Sequence, residues 1–185
     1  MKAAYHDVPG GPEVLSYAEF EDPFYAEDGV LVRVEAISVE DGDLISRATT
    51  PPPGSGYVPG YAASGEIVAV GAKVRNRSVG QKVTSFDMGG SHAELRAVKA
   101  TRTWVVPDGL DMAAAAALPI SFGTAHHCLF ARGGLAKGET VLVQDGAGSV
   151  GVAAIQLAPR AGATVLATVS VQTARRACWP WGWMR

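Results

Sequence analysis

The chain has 185 residues, 48% of them hydrophobic and 18% charged, which excludes intrinsic disorder and suits one or two globular domains. A formal net charge of −2 and a pI near 6.1 exclude the basic footprint of a nucleic-acid binder. Two cysteines, Cys128 and Cys178, make no disulfide framework and point to a reducing cytoplasm.

The N-terminus, Met1-Lys2-Ala3-Ala4-Tyr5-His6-Asp7, meets charge too early for a signal-peptide core. Residues 1 to about 110 are rich in Gly, Pro and short β-branched runs. Val32, Val34 and Ala36 alternate with Arg33 and Glu35, which predicts a half-buried strand over 30–37. Further strands are expected over 65–70, 82–86, 93–98 and 103–106, bounded by Gly71, Gly80 and Gly89-Gly90. Many short strands between turns predict a small barrel or sandwich. The character then changes. Asp111 is placed to cap an alanine-rich helix over 112–118, and Pro119 is expected to begin a new segment. A second helix is expected over 121–132, stopped by Gly133-Gly134. The longest apolar run, the nine residues 112–120, falls short of the roughly 20 that a membrane helix needs.

The most specific signal follows. Thr140-Val141-Leu142-Val143 reads as a strand that runs straight into Gly146-Ala147-Gly148-Ser149-Val150-Gly151 and a helix over 150–157. A second strand is expected over 164–169. This is the G-x-G-x-x-G opening of a dinucleotide-binding βαβ unit. Gly146 would permit the tight turn, Gly148 the approach of a pyrophosphate, and Gly151 close packing of helix on strand. The helix N-terminus would offer its unpaired N–H groups to phosphate. Asp145 is awkward beside an anion and is expected to point away from it. An NAD site usually carries an acid about 20 residues on. Here the second strand ends at Ser170, whose small hydroxyl leaves room for a 2′-phosphate, with Arg175 or Arg176 available to neutralise it or simply solvated. The expected cofactor is therefore NADPH.

Family-like pieces run along most of the chain in a specific order. They include Gly11-Pro12-Glu13-Val14-Leu15, Pro59-Gly60, Ser64-Gly65-Glu66-Ile67-Val68-Ala69-Val70-Gly71 and Val79-Gly80-Gln81-Lys82-Val83. Ala93-Glu94, Ala116-Ala117-Leu118-Pro119, Thr124-Ala125, Gly138 to Val143 and Ala153 to Ala158 continue the series. On these residues the chain resembles the zinc-independent quinone oxidoreductases of the medium-chain dehydrogenase/reductase superfamily. The resemblance implies a β + α/β fold: a GroES-like β-barrel domain over 1–118, then an incomplete Rossmann-type NADP-binding domain over 119–170, with the active site in the cleft between them. It implies NADPH-dependent hydride transfer to a small-molecule quinone or activated carbonyl or enone, in the cytoplasm, with no membrane or nucleic-acid partner. Full-length members commonly form homodimers. The same scaffold also serves enoyl reductases, and a non-catalytic nucleotide-binding or assembly remnant is the alternative from another class.

Zinc members hold their metal with a Cys in the region of residues 38–43 and a His after the glycine matching Gly60. Here the first region lacks Cys and Tyr61 follows Gly60, so the three ligands of a catalytic zinc are absent. His126-His127-Cys128 sit at adjacent helical positions that diverge, and His126 takes the place of a family Tyr. No metal is expected. The family's Asn-Pro-Val-Asp-x-x-x-Arg cleft loop corresponds to Glu40-Asp41-Gly42-Asp43-Leu44-Ile45-Ser46-Arg47, in which only Asp43 and Arg47 persist. These two, with Tyr57, are the catalytic candidates; Asp43 and Arg47 could equally form a structural ion pair. The cofactor candidates are Thr124, Gly146, Ala147, Gly148, Ser149, Val150, Gly151, Ser170 and Arg175. Thr124 could instead cap or pack its helix.

The resemblance stops near Ser170. Residues 171–185 hold three of the four tryptophans, and Pro180 would break the helix expected there. Read one base earlier, Cys178 to Met184 becomes Leu/Met/Val, Leu, Ala, Leu/Met/Val, Gly, Leu/Met/Val, Asp, the family's approach to a third strand. A shifted reading frame near 171–177 is therefore expected, leaving a truncated chain with an uncovered apolar sheet face and little hydride transfer alone. Pro159 is expected to shorten or kink the first helix of the βαβ unit.

Overall fold

The computed structural model describes residues 1–170, which fall into two compact units divided after Pro119. Among the described residues no helix is long and apolar enough to cross a membrane.

The first unit is β-rich. β1 (Lys2–Tyr5) and β2 (Ser16–Glu19) form an antiparallel pair that the sequence reading did not anticipate. β3 (Gly29–Ser38), β4 (Ala62–Val70), β5 (Lys82–Phe86), β6 (Leu95–Lys99) and β7 (Thr103–Val105) form one antiparallel sheet in the order β6-β3-β4-β5-β7. The expected barrel wall is this bulged sheet, to which the first pair is linked by an isolated bridge between Ala3 and Ala93. Alternation works as expected in β3: Val30 and Val32 are buried while Arg33 and Glu35 face water. Val30, Val32, Ile67, Val83, Val98 and Ala100 make the core, against which Val70 and Val74 pack. Between β3 and β4 lies α1 (Asp41–Thr49).

α2 (Met112–His126) begins as expected, with Ala114 N–H donating to Asp111 Oδ2 at 3.0 Å. It does not break at Pro119. Interior proline costs about 3 kcal/mol through a lost hydrogen bond and a ring clash. The fully buried Ala115 and Ala116 just before it show that packing decides the helix's course here. A π-helical stretch, His127–Arg132, follows and closes with Gly133 N–H on Cys128 O at 2.8 Å.

In the second unit β8 (Thr140–Val143) pairs in parallel with β9 (Thr164–Ala167), and α3 (Ser149–Arg160) connects them. α3 keeps Pro159 in its last turn. Ala153, Ile155 and Ala158 pack with Val143 and Val165 in its core, joined by Ala125 and Leu129. Leu142 and Leu166, paired in register, are 57% and 56% exposed.

Candidate functional site

In the second unit, the glycine turn sits where β8 hands over to α3. Gly146 N–H donates to Thr168 O at 2.8 Å, and Thr168 N–H to Val143 O at 3.0 Å. These bonds bring the end of the second strand beside the glycine turn, with exposed Ser170 two residues further on. Gly148 is the N-cap of α3 and supplies no side-chain acceptor, so the first-turn N–H groups of Ser149, Val150 and Gly151 have no cap. A Cβ on Gly151 would lie 2.1 Å from Asp145 O and 2.9 Å from Gly146 Cα. Helix and turn therefore touch through backbone.

Two details differ from the sequence expectation. The left-handed residue of the turn is Asp145 (φ 53), not Gly146. Gly146 instead sits against Ala167 and Ile155, which a Cβ would approach to 3.0 and 3.1 Å. Nor does Asp145 point away: its Oδ2 is 2.4 Å from the place a Cβ of Gly148 would take. The left-handed backbone at residue 145 swings that side chain over the turn. Ala147 is half-buried in the turn, and Ser149 and Val150 are exposed. Thr124 lies inside α2 and is exposed, so it neither caps nor packs. Arg175, Arg176, Cys178 and the whole 171–185 segment lie outside the described residues. His126 packs edge-on against Phe130, while His127 accepts a bond from Arg132 Nε at 3.2 Å, so the neighbouring histidines diverge.

In the first unit, the run expected as a cleft loop is helix. Glu40 caps α1 reciprocally with Asp43: Glu40 N–H donates to Asp43 Oδ2 at 3.0 Å while the Glu40 side chain accepts from the Asp43 N–H. This acid-x-x-acid spacing was legible in Glu40-Asp41-Gly42-Asp43. It also prevents the alternative ion pair. Asp43 is buried on its cap, whereas Arg47 Nε donates to Gly10 O at 3.3 Å and Arg47 O accepts from Gly10 N–H at 2.9 Å.

Asp43 has a second, larger role that spacing did not reveal. Its Oδ1 is buried without a hydrogen-bond partner, as are His92 Nε2, Ser91 Oγ and Arg96 Nε. The Asp43 carboxylate acts electrostatically on His92, Arg96 and Tyr57. Arg96 donates to Ser85 Oγ at 3.0 Å, Ser85 O at 3.3 Å, Tyr61 O at 2.7 Å and Gly89 O at 3.0 Å. Burial pushes its guanidinium down to about 10. Arg96 shares the inward face of β6 with Val98, so period-2 alternation could have found it. Tyr57 donates from its hydroxyl to Met88 O at 2.9 Å and stacks edge-on with His6. Burial first, then Tyr61 and Asp43, raise its phenol above the usual range, so it stays protonated at neutral pH.

His92 packs against Gly60, whose φ is +103; a Cβ there would lie 2.8 Å from His92 Nε2 and 2.0 Å from Ser91 Oγ. Burial lowers the imidazole from its ordinary 6.5, with Asp43 opposing and Arg96 assisting. A histidine held neutral in the fold gives stability that is complete above pH 6.5 and is lost as pH falls through the depressed value, because only the unfolded chain then takes up the proton. The apo protein's unfolding midpoint should therefore fall on going from about pH 7 to about pH 5, and His92→Phe should flatten that fall. Parallel melting curves for the two proteins across this range would refute the assignment.

Residues 26–108 match the alcohol dehydrogenase GroES-like domain. A quinone oxidoreductase from Lama guanicoe is 33% identical over 180 residues, covering 95% of this chain and 54% of that protein. A low-reducing polyketide synthase, drtA, from Aspergillus calidoustus is 39% identical over 155 residues, covering 84% of this chain and 6% of that protein. The solved structure of the Escherichia coli quinone oxidoreductase complexed with NADPH superposes with a TM-score of 0.88 at 26% identity, over 98% of this chain and 56% of that one. The chain thus spans about half the length of the quinone oxidoreductases it matches.

Proposed function

Because the chain belongs to the quinone oxidoreductase family of the medium-chain dehydrogenase/reductase superfamily, we propose that it is part of an NADPH-dependent oxidoreductase acting on a quinone or an activated carbonyl or enone. The observation that carries this reading is the β8–turn–α3 arrangement, with the end of β9 tied to Gly146 and an uncapped helix N-terminus behind Gly148. Its backbone suits a dinucleotide: the N–H groups of Ser149, Val150 and Gly151 would receive the pyrophosphate, and the bare Gly151 lets α3 lie against the turn, where a Cβ would strike Asp145 O. NADPH, when bound, supplies the hydride.

The protein's own residues would orient and polarise. The phenol of Tyr57, kept protonated, is the group able to donate to a carbonyl oxygen on exchanging its bond to Met88 O. Asp43 and Arg47 serve as positioning residues, the first by closing the N-terminus of α1 and the second by fixing the Gly10 segment. Ser170 replaces the acid that would hold a 2′-OH, which favours the 2′-phosphate of NADPH. Ser170→Asp should therefore weaken NADPH binding about tenfold or more while leaving NADH binding nearly unchanged. Calorimetric titration of both proteins with both cofactors checks this, and equal losses for the two cofactors would count against the assignment.

A further inference from the structure

Asp145 stands out within the proposed phosphate turn. It is the one non-glycine residue at positive φ among the described residues, in a region that strains a residue carrying a Cβ. Its carbonyl accepts the Gly148 N–H at 3.0 Å and lies 2.1 Å from the place a Cβ of Gly151 would take. Its carboxylate fills the space left by Gly148, with Oδ2 at 2.4 Å and Cγ at 3.2 Å from the Cβ position. Gly148 thus makes room for an anion that the chain itself carries. No ion pair to a described residue neutralises that anion.

We propose that Asp145 is a built-in competitor for phosphate: its carboxylate occupies the mouth of the α3 N-terminus and lowers the affinity of the turn for a dinucleotide. The positive end of the helix dipole attracts either anion, and only one can take the ground beside Gly148. Asp145 is exposed, so its side chain has room to leave when the ligand's pyrophosphate arrives. Binding then carries the work of displacing that carboxylate and of holding two like charges a few ångströms apart. The inference rests on reading the turn as a nucleotide site.

The test is calorimetric titration of NADPH into the full chain and its Asp145→Asn and Asp145→Gly variants at one fixed salt concentration. D145N keeps the shape and removes the charge, and should bind roughly tenfold more tightly than the parent. D145G removes the charge and the backbone strain. Its ligand-free unfolding midpoint should rise, a readout independent of binding. Binding by parent and D145N with equal Kd would overturn the competitor role while leaving the nucleotide reading intact. Absence of NADPH binding in all three proteins would overturn both.

Discussion

Replacing Arg96 by Met should lower the stability of the chain by about 4 kcal/mol, and its unfolding midpoint by roughly 10 °C or more. Two effects oppose each other. Removing a buried cation relieves a desolvation cost, which is why apolar replacements of buried charges are sometimes harmless. Here, however, the guanidinium forms no ion pair among the described residues, Asp87 and Asp43 acting on it only electrostatically; its partners are the carbonyls of Ser85, Tyr61 and Gly89 and the Ser85 hydroxyl. Methionine fills the volume but leaves those acceptors short of donors at a site where Arg96 is fully buried. Each such loss costs about 1–3 kcal/mol, so the acceptors win. The segment that Arg96 fastens through Gly89 also carries Met88, the acceptor for Tyr57. The substitution should therefore also loosen Tyr57. Arg96→Lys, with one point charge in place of a fork, should fall between the two. Thermal denaturation of the three proteins checks the order, and a Met variant as stable as the parent would refute the role.

Gly151→Ala should reduce NADPH affinity by roughly a hundredfold and destabilise the chain by about 1–3 kcal/mol. The added methyl would lie 2.1 Å from the carbonyl oxygen of Asp145 and 2.9 Å from Gly146 Cα, both backbone atoms without rotamers to yield. Relief requires α3 to move off β8, which shifts the uncapped N–H groups away from the turn. Calorimetry and melting together separate the two effects. A variant that melts lower yet binds NADPH like the parent would show that the helix N-terminus plays no part in binding.

Much of the architecture was legible because it follows local rules. The alternation in β3, the Asp111 cap and the strand–glycine–helix order of residues 140–160 each need only a few neighbouring residues to be recognised. The errors share a cause. Pro119 reads locally as a break, yet buried alanines carry α2 through it. Residues 40–47 were expected as a loop, yet Glu40 and Asp43 cap each other and start α1. β1 and β2 escaped notice because short edge segments gain their order from partners distant in sequence. The polar cluster was the least visible part. Asp43, Tyr57, His92 and Arg96 come from a helix, an isolated bridge, a loop and a strand, and no spacing joins them.

The sequence alone determined the family resemblance, the glycine turn and the absence of an acid at Ser170, because these are statements of residue type at fixed spacing. Tertiary structure decided what those residues face. It placed Asp145 at φ 53 with its carboxylate over Gly148, gave Arg47 and Asp43 different partners, and buried Arg96 among carbonyls. Side-chain direction depends on backbone angles and on contacts between segments far apart in the chain, and neither is written in the identity of a residue or its neighbours.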